Sequence, residues 1–207
     1  MDDHFVVRKG VRALLVDAGD IAVVGEAADG RQAVEEARRL EPQVILMDLK
    51  LPLLDGVEAI RAILAEQPEV GIVVLTGTGG DAQVLAAVEA GALGYVAKTS
   101  ERQDFLAAIR RVAQGEPWLP PRLTRKLLAH LRPAPGGSPE PLTERETQVL
   151  RLLARGKTNL QIAQELNVAE VTVRTHVSHI LGKLGANNRV QATLYALRAG
   201  LAPLEEL

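Results

Sequence analysis

The stretch Val44-Ile-Leu-Met-Asp48-Leu-Lys-Leu-Pro52-Leu-Leu-Asp-Gly56 constrains the fold more than any other. Four apolar residues in a row, β-branched at the start, read as a strand buried on both faces. The run stops on a carboxylate, and Pro52 and Asp55-Gly56 follow as turn signals. An Asp at the C-terminal end of a buried parallel strand stands where open α/β sheets place their chemistry. The alternative is that Asp48 only caps a turn, and the flanking stretches bear on that choice.

Before it, apolar residues at Val7, Val11, Leu14 and Leu15 have helical spacing over Arg8–Leu15. Ile21–Val24 reads as a strand, Asp29-Gly30 as a turn, and Arg31–Leu40 as a helix with Ala33, Val34, Ala37 and Leu40 inward. After it come a helix over Val57–Glu66, a strand over Gly71–Thr76 and a loop over Gly77–Gly80. Asp81 can cap a helix to Ala90, which Gly91 ends. Gly94–Lys98 is the last strand, and Ser100 with Gln103 spells a capping box for a helix over Asp104–Gln114. Strands alternating with short helices make a doubly wound α/β domain with a parallel sheet over residues 1–114. Pro and Gly then crowd residues 115–140, a linker interrupted by a short helix at Leu123–Leu131. Residues 141–207 read as helix throughout.

The two halves differ in charge. Residues 1–114 carry 12 basic and 18 acidic side chains, a net of −6, whereas 115–140 and 141–207 each carry +2. An acidic first domain and a mildly basic second one suit different partners. Cysteine is absent and aromatics are 2 % of residues, so the core is aliphatic and disulfide or thiol chemistry is excluded. Four His without Cys argue against structural zinc. No apolar run approaches the roughly 20 residues of a membrane span, and Met1-Asp2-Asp3-His4 is acidic where a signal peptide is basic. The expectation is a soluble, cytoplasmic chain without membrane contact.

Asp48, Thr76 and Lys98 end three of the expected strands, and in a parallel sheet such ends converge. A carboxylate, a hydroxyl and an ammonium together suit phosphoryl transfer, with Asp48 as nucleophile and the other two balancing phosphoryl charge. A carboxylate attacking an anionic phosphate also needs a divalent cation, for which Asp2 and Asp3 are the further carboxylates. Taken singly, Thr76 could be a turn residue, Lys98 a solvated charge and Asp2-Asp3 an acidic terminus.

Asp2-Asp3-His4, Asp48 with Leu49-Lys50-Leu51-Pro52 and Asp55-Gly56, Thr76, Ala90-Gly91-Ala92 and Gly94-Tyr95-Val96-Ala97-Lys98 resemble the receiver domain of bacterial two-component response regulators. The resemblance implies a flavodoxin-like fold and a phosphoacceptor at Asp48, with a phosphohistidine on a sensor histidine kinase as donor. It implies Mg²⁺ held by Asp2, Asp3, Asp48 and the backbone carbonyl of Lys50, and a switch pair, Thr76 and Tyr95. Lys50 and Thr78 fall where the family tunes dephosphorylation. The sequence departs from the family in one respect: Met1 precedes Asp2 directly, so the first central strand is missing, and in the order 2-1-3-4-5 the strands at Ile21 and Val44 lack their shared neighbour. A start assigned too late, a disabled receiver, and another segment or molecule filling the gap are the three explanations, of which the first is favoured by the otherwise intact site residues.

In the second domain Thr143-Glu-Arg-Glu146 is a capping box ahead of Val149, Leu150, Leu152 and Leu153, and Gly156 closes that helix. Thr158 with Gln161 caps Leu160–Leu166, and after Asn167-Val168-Ala169 a long helix runs over Glu170–Leu184. Its apolar stripe is Val173, Val177, Ile180, Leu181 and Leu184; Thr172, Arg174, Thr175, Ser178 and Lys183 lie opposite. Two helices with a tight turn, the second polar and basic outside, make a helix-turn-helix. The alternative is a helical bundle with a solvated face. Leu142-Thr-Glu-Arg-Glu146, Gly156-Lys-Thr-Asn159, Ile162-Ala163 and Thr172-Val173-Arg174-Thr175-His176-Val177 resemble the LuxR-type DNA-binding domain. Joined to a receiver, this resembles the NarL/FixJ class of response regulators. It implies base contacts from Arg174, Thr175 and Ser178, and phosphate contacts from Lys157, Asn159, Thr172, His176 and Lys183. It implies a homodimer on double-stranded DNA, formed through the helix Val190–Ala199 that follows Asn187-Asn188-Arg189. Ala169 replaces the Ser that commonly caps the recognition helix, and Ser178 stands where some relatives carry Lys.

The expectation is a non-enzymatic transcription regulator controlled by phosphorylation of Asp48. One rival is a phosphorylation-independent DNA-binding protein whose truncated receiver is only an interaction module. A second, an aspartyl-phosphate hydrolase, needs an acid/base Asp two positions after the nucleophile, where Lys50 stands.

Overall fold

Three apolar runs form one parallel sheet: β1 (Val44–Asp48), β2 (Gly71–Thr76) and β3 (Gly94–Ala97), in the order β1-β2-β3. This is a computed structural model, and it describes residues 1–77, 81–120, 123–124, 127, 141–186 and 188–202. The chain divides into two units, Met1–Gln114 and Gly115–Leu207. In the register, Asp48 faces Leu75, Val74 faces Tyr95 and Thr76 faces Ala97. Because alternate side chains share a face, Val74, Thr76, Tyr95 and Ala97 lie on one side of the sheet, and Leu46, Asp48, Leu75 and Val96 on the other.

Helices surround the sheet. They are α1 (Phe5–Val16), α2 (Gly30–Leu40), α3 (Gly56–Glu66), α4 (Asp81–Ala90) and α5 (Arg102–Ala113). Asp29 and Asp55 cap α2 and α3, accepting from the amides of Gln32 and Glu58, which satisfies donors a helix start leaves open. Leu15 of α1 and Leu106 and Ile109 of α5 form an aliphatic cluster against which Val44 and Leu46 of β1 pack. Gly91, at φ 117°, ends α4 where a side chain would be strained.

Two expectations fail in this unit. Ile21–Val24 is not a strand: residues 21–27 carry no ladder. A strand is defined by its neighbour, and among the described residues Met1 and Asp2 are the ones that bond between this segment and β1. The Met1 amine donates to the Leu46 carbonyl at 2.8 Å. The Met1 carbonyl accepts from the Asp48 amide at 3.0 Å, and the Asp2 amide donates to the Ala27 carbonyl at 3.1 Å. Pairing stops there, and burial pushes the Met1 amine down to about 6. The Ser100–Gln103 capping box also does not form. Glu101 takes the N-cap without a side-chain bond, and the Gln103 amide donates to the Glu101 carboxylate instead. The helix starts at Arg102 rather than Asp104, and β3 ends one residue before Lys98.

The second unit contains α6 (Glu144–Ala154), α7 (Asn159–Glu165), α8 (Glu170–Leu184) and α9 (Arg189–Arg198). Both expected capping boxes are made, Thr143 with Glu146 and Thr158 with Gln161. Val149, Leu150 and Leu153 of α6 meet Ile162 of α7, Val173, Ile180 and Leu184 of α8 and Ala192 and Ala196 of α9 in one core. Of the expected helix Leu123–Leu131, Leu123, Thr124 and Leu127 are helical and buried; its other residues, like Thr78 and Asn187, lie outside the described residues.

Glu146 is buried in this core and does two jobs. Its carboxylate accepts from the Thr143 amide at 2.8 Å and from Lys183 Nζ, in the last turn of α8, at 2.9 Å. The Thr143 amide and then the Lys183 ammonium hold it well below the usual carboxylate range, at about 2. A carboxyl held at about 2 when folded and about 4.5 when unfolded stabilises the fold fully above about pH 4.5 and loses that contribution as pH falls towards 2. Glu146→Gln is therefore expected to cost about 2 kcal/mol in urea unfolding at pH 7, with the gap to the parent chain closing as the pH approaches 2.

Candidate functional site

The C-terminal edge of the sheet gathers charge. Asp48 ends β1 and Lys98 follows β3. Asp2 is brought opposite by the Met1 bonds. Lys98 Nζ donates to Asp48 Oδ2 at 2.6 Å and stands 2.6 Å from Asp2 Oδ2. The Lys98 ammonium is thereby the counter-charge of the buried Asp2 Oδ2. Both carboxylates are almost wholly enclosed, Asp2 at 1 % exposure and Asp48 at 4 %. Burial acts to lower the Lys98 ammonium, but the bonds and charges of Asp2 and Asp48 outweigh it and hold Lys98 above the usual lysine value. Asp48 Oδ1 accepts from the Lys50 amide at 3.2 Å and Asp2 Oδ1 from the His4 amide at 2.9 Å.

The loop after β1 is tightly drawn. The Leu54 amide donates to the Pro52 carbonyl across Leu53, whose φ is 66°. Gly56 lies so close under the strand end that a side chain there would collide with the Asp48 carbonyl. This explains Asp55-Gly56 beyond its turn signal: Asp55 caps α3 and Gly56 lets the helix start against the site.

Asp2, Asp3 and His4 each offer a ligand atom within 4.8 Å of the others. The two carboxylates of the set, Asp2 buried and Asp3 exposed, are oxygen donors that fit a hard divalent cation. His4 Nδ1 lies 2.6 Å from Asp3 Oδ1. Thr76 is buried, and its hydroxyl donates to the Gly77 carbonyl at 3.3 Å. Tyr95 is half-buried on the same sheet face as Thr76, two residues before the Ala97 that pairs with it. The structure thus joins Asp2, Asp48 and Lys98 directly; Thr76 ends β2 at the same sheet edge, with its side chain and that of Tyr95 on the face opposite to Asp48.

In the second unit α8 buries Val173, Ile180 and Leu184 and exposes Arg174, Thr175 and Ser178. Thr172, His176 and Lys183 are half-buried. Arg174 pairs with Glu170 at 2.9 Å and the Thr175 hydroxyl donates to the Val171 carbonyl. Ala169 caps α8 without a side-chain bond. Lys157 lies 3.6 Å from Glu165.

Two ties emerge only from the structure. Lys183 is tied to Glu146 as described. Arg189, at the start of α9, donates Nη1 to Asn159 Oδ1 at 3.0 Å and Nη2 to the Lys157 carbonyl. It thereby holds the turn that carries Lys157 and Asn159. Burial pushes its guanidinium down to about 10, against the opposing charge of Glu116. A sequence signal for it exists: a cation directly after the N-cap Asn188 opposes the helix dipole and calls for a local partner.

Comparison with known proteins decides the family. The response regulator receiver domain matches residues 1–110, and the bacterial regulatory proteins of the luxR family match residues 140–196. The chain belongs to the response regulators with a LuxR-type DNA-binding domain. It is 44 % identical over 200 residues to the transcriptional regulatory protein LiaR of Bacillus subtilis (strain 168), covering 96 % of this chain and 95 % of LiaR. It is 38 % identical over 201 residues to the response regulator protein VraR of Staphylococcus aureus, covering 97 % and 96 %. Among solved structures, the RcsB–DNA complex shares 28 % identity at a TM-score of 0.57, with 95 % of each chain covered. The protein is therefore a DNA-binding transcriptional regulator of two-component type and not an enzyme, and the hydrolase reading falls. None of its described helices is long and apolar enough to cross a membrane.

Arg189→Met should release the Lys157–Asn159 turn while leaving the polar face of α8 in place. Fluorescence anisotropy on a DNA site at fixed salt is expected to show roughly tenfold weaker binding, with a melting midpoint lowered by a few degrees.

Proposed function

We propose that Asp48 is the phosphoacceptor through which a sensor histidine kinase controls DNA binding by this protein. The convergence of Asp2, Asp48 and Lys98 within 2.6 Å contacts on the sheet edge carries the reading. An oxygen of Asp48 attacks the phosphorus of a phosphohistidine; the P–N bond breaks, and the imidazole leaves with the electron pair and takes a proton from solvent. Mg²⁺, when held by Asp2, Asp3, Asp48 and the Lys50 carbonyl, supplies charge neutralisation for the incoming phosphoryl group. Lys98 turns from the carboxylates to a phosphoryl oxygen. The Thr76 hydroxyl leaves the Gly77 carbonyl for another, and the Tyr95 ring follows on the shared face.

In this reading residues 1–114 are the receiver, 115–140 the linker and 141–207 the DNA-binding domain. Arg174, Thr175 and Ser178 reach base edges, and Lys157, Asn159, Thr172 and His176 reach phosphates. Lys183 reaches a phosphate by giving up Glu146. The chain acts in the cytoplasm as a homodimer on paired half-sites, with α9 as the dimer helix; RcsB is described as dimers bound to DNA.

Incubation with a small phosphodonor and Mg²⁺ should add one phosphoryl group to the intact chain and tighten DNA binding. Asp48→Asn should abolish both effects. No mass gain, or a gain that survives Asp48→Asn, would overturn the assignment. Arg174→Ala should cost about 1–3 kcal/mol on the preferred DNA sequence and relax preference at one base position, as read from a panel of single-base variants.

A further inference from the structure

The outer stripe of α8 is not uniformly polar. At about 100° per residue, Val173, Ile180 and Leu184 turn into the core and Val171 points almost directly away from it. Among the described residues of the second unit, Leu160, Val171 and Tyr195 are the large apolar side chains left exposed, and Val171 is the most exposed of them at 68 %. A β-branched residue lowers helix propensity and gains little by packing in such a place. An isolated exposed valine is ordinary; this one shares its stripe with the groups read as base contacts. Around the helix, Ser178 lies about 20° from Val171, Thr175 about 40° and Arg174 about 60°, and all four side chains are exposed. The stripe is also sorted by chemistry. The Thr175 hydroxyl donates to the Val171 carbonyl at 3.1 Å. A hydroxyl has one proton to give, so outwards Thr175 offers a methyl group and acceptor lone pairs but no donor. Arg174 Nη2 donates to Glu170 Oε1 at 2.9 Å, which draws the guanidinium to the side of Val171 opposite Thr175. The stripe thus has a charged donor edge at Arg174 and a methyl-bearing edge at Val171 and Thr175.

We propose that Val171 is a specificity-determining residue that reads the C5-methyl group of a thymine in the major groove, next to the base pair addressed by Arg174. The thymine methyl is the one apolar group that base edges present there, and Val171 is the one exposed side chain of the stripe without a polar atom. Val171 and Arg174 stand about 4.5 Å apart along the helix, close to the base step of about 3.4 Å. With α8 lying along the groove they therefore meet neighbouring base pairs. A cytosine in the same place offers an amino donor in place of the methyl group, and Val171 has no acceptor for it. Burying the two apolar groups against each other removes both from water, which favours thymine without a hydrogen bond. The inference rests on the reading that this face of α8 enters the major groove, and it adds the apolar half of the recognition code to the polar half carried by Arg174 and Ser178. It does not require Asp48 to be phosphorylated.

The test uses the full chain and the duplex it selects from a random pool. Each thymine of that duplex is replaced in turn by deoxyuridine, which removes the methyl group and keeps the base pair, and binding is read by fluorescence anisotropy at fixed salt. One such replacement in a half-site should weaken binding by the parent chain about fourfold, the value of one buried methyl group. Val171→Ala should bind the unmodified duplex several-fold more weakly, be indifferent to that same replacement, and keep its melting midpoint, since the side chain is exposed. If no thymine replacement weakens binding by the parent chain, or if Val171→Ala keeps the fourfold response at the same base, the assignment is overturned. Arg174→Ala separates this failure from failure of the reading beneath it. Sequence preference relaxed by Arg174→Ala, with the uracil response unchanged in Val171→Ala, removes Val171 alone. Preference altered by neither substitution removes the placement of α8 in the major groove, and the assignment with it.

Discussion

Met1 donates to the Leu46 carbonyl and accepts from the Asp48 amide, and these two bonds lay the backbone of Asp2 against the end of β1. Everything at the charged edge follows from that placement. With Asp2 beside Asp48, one ammonium can satisfy both carboxylates, and Lys98 reaches across from the end of β3 to do so. Two carboxylates and one ammonium leave a net negative charge in a nearly dry site, and Asp3 adds to it. Low dielectric makes such an excess costly unless a further cation balances it. In the proposed reading the divalent ion supplies that balance, and Lys98 offsets part of the charge before a phosphoryl group arrives.

The sheet edge was legible because each strand carries its own signal. Val44–Asp48 and Gly71–Thr76 have the bounds their apolar runs imply, and Asp48 and Lys98 meet because parallel strands end on the same side. Ile21–Val24 has an equally apolar run and forms no strand. Its composition reports that it can be buried; whether it pairs depends on a neighbour two residues long. The Ser100–Gln103 pattern fails for a local reason. Glu101, with φ −71° and ψ 159°, takes the N-cap and draws Gln103 to its own side chain. A capping pattern names residues that can cap, while the chain's entry into the helix selects the one that does.

In the second unit both capping boxes and the full span of the recognition helix were legible, since each is written within a few residues. The Glu146–Lys183 and Arg189–Lys157 ties were not. Their partners lie 37 and 32 residues apart, and no periodic pattern links such distances. Both are consequences of packing. Where α6 packs on α8, the carboxylate already fixed by the α6 cap lies 2.9 Å from Lys183 in the last turn of α8. A residue read as a contact for DNA thereby acquires a structural duty, and Lys183 can serve the phosphate backbone only against that duty.

Charge also limits how the receiver can act on DNA binding. Residues 1–114 carry a net of −6 and the DNA-binding region +2. A phosphoryl group adds about −1.5 to −2 at neutral pH, which makes the acidic domain still more repulsive to a polyanion. Direct attraction therefore works against activation. In the proposed reading a gain on phosphorylation comes from geometry: two weakly basic domains held at the spacing of paired half-sites, where the second contact forms at the effective concentration set by the first. In that reading the requirement falls on the Thr76–Tyr95 face and on α9, whose stretch from Val190 to Leu197 carries no charged side chain, and assembly rather than electrostatics is the quantity the receiver controls.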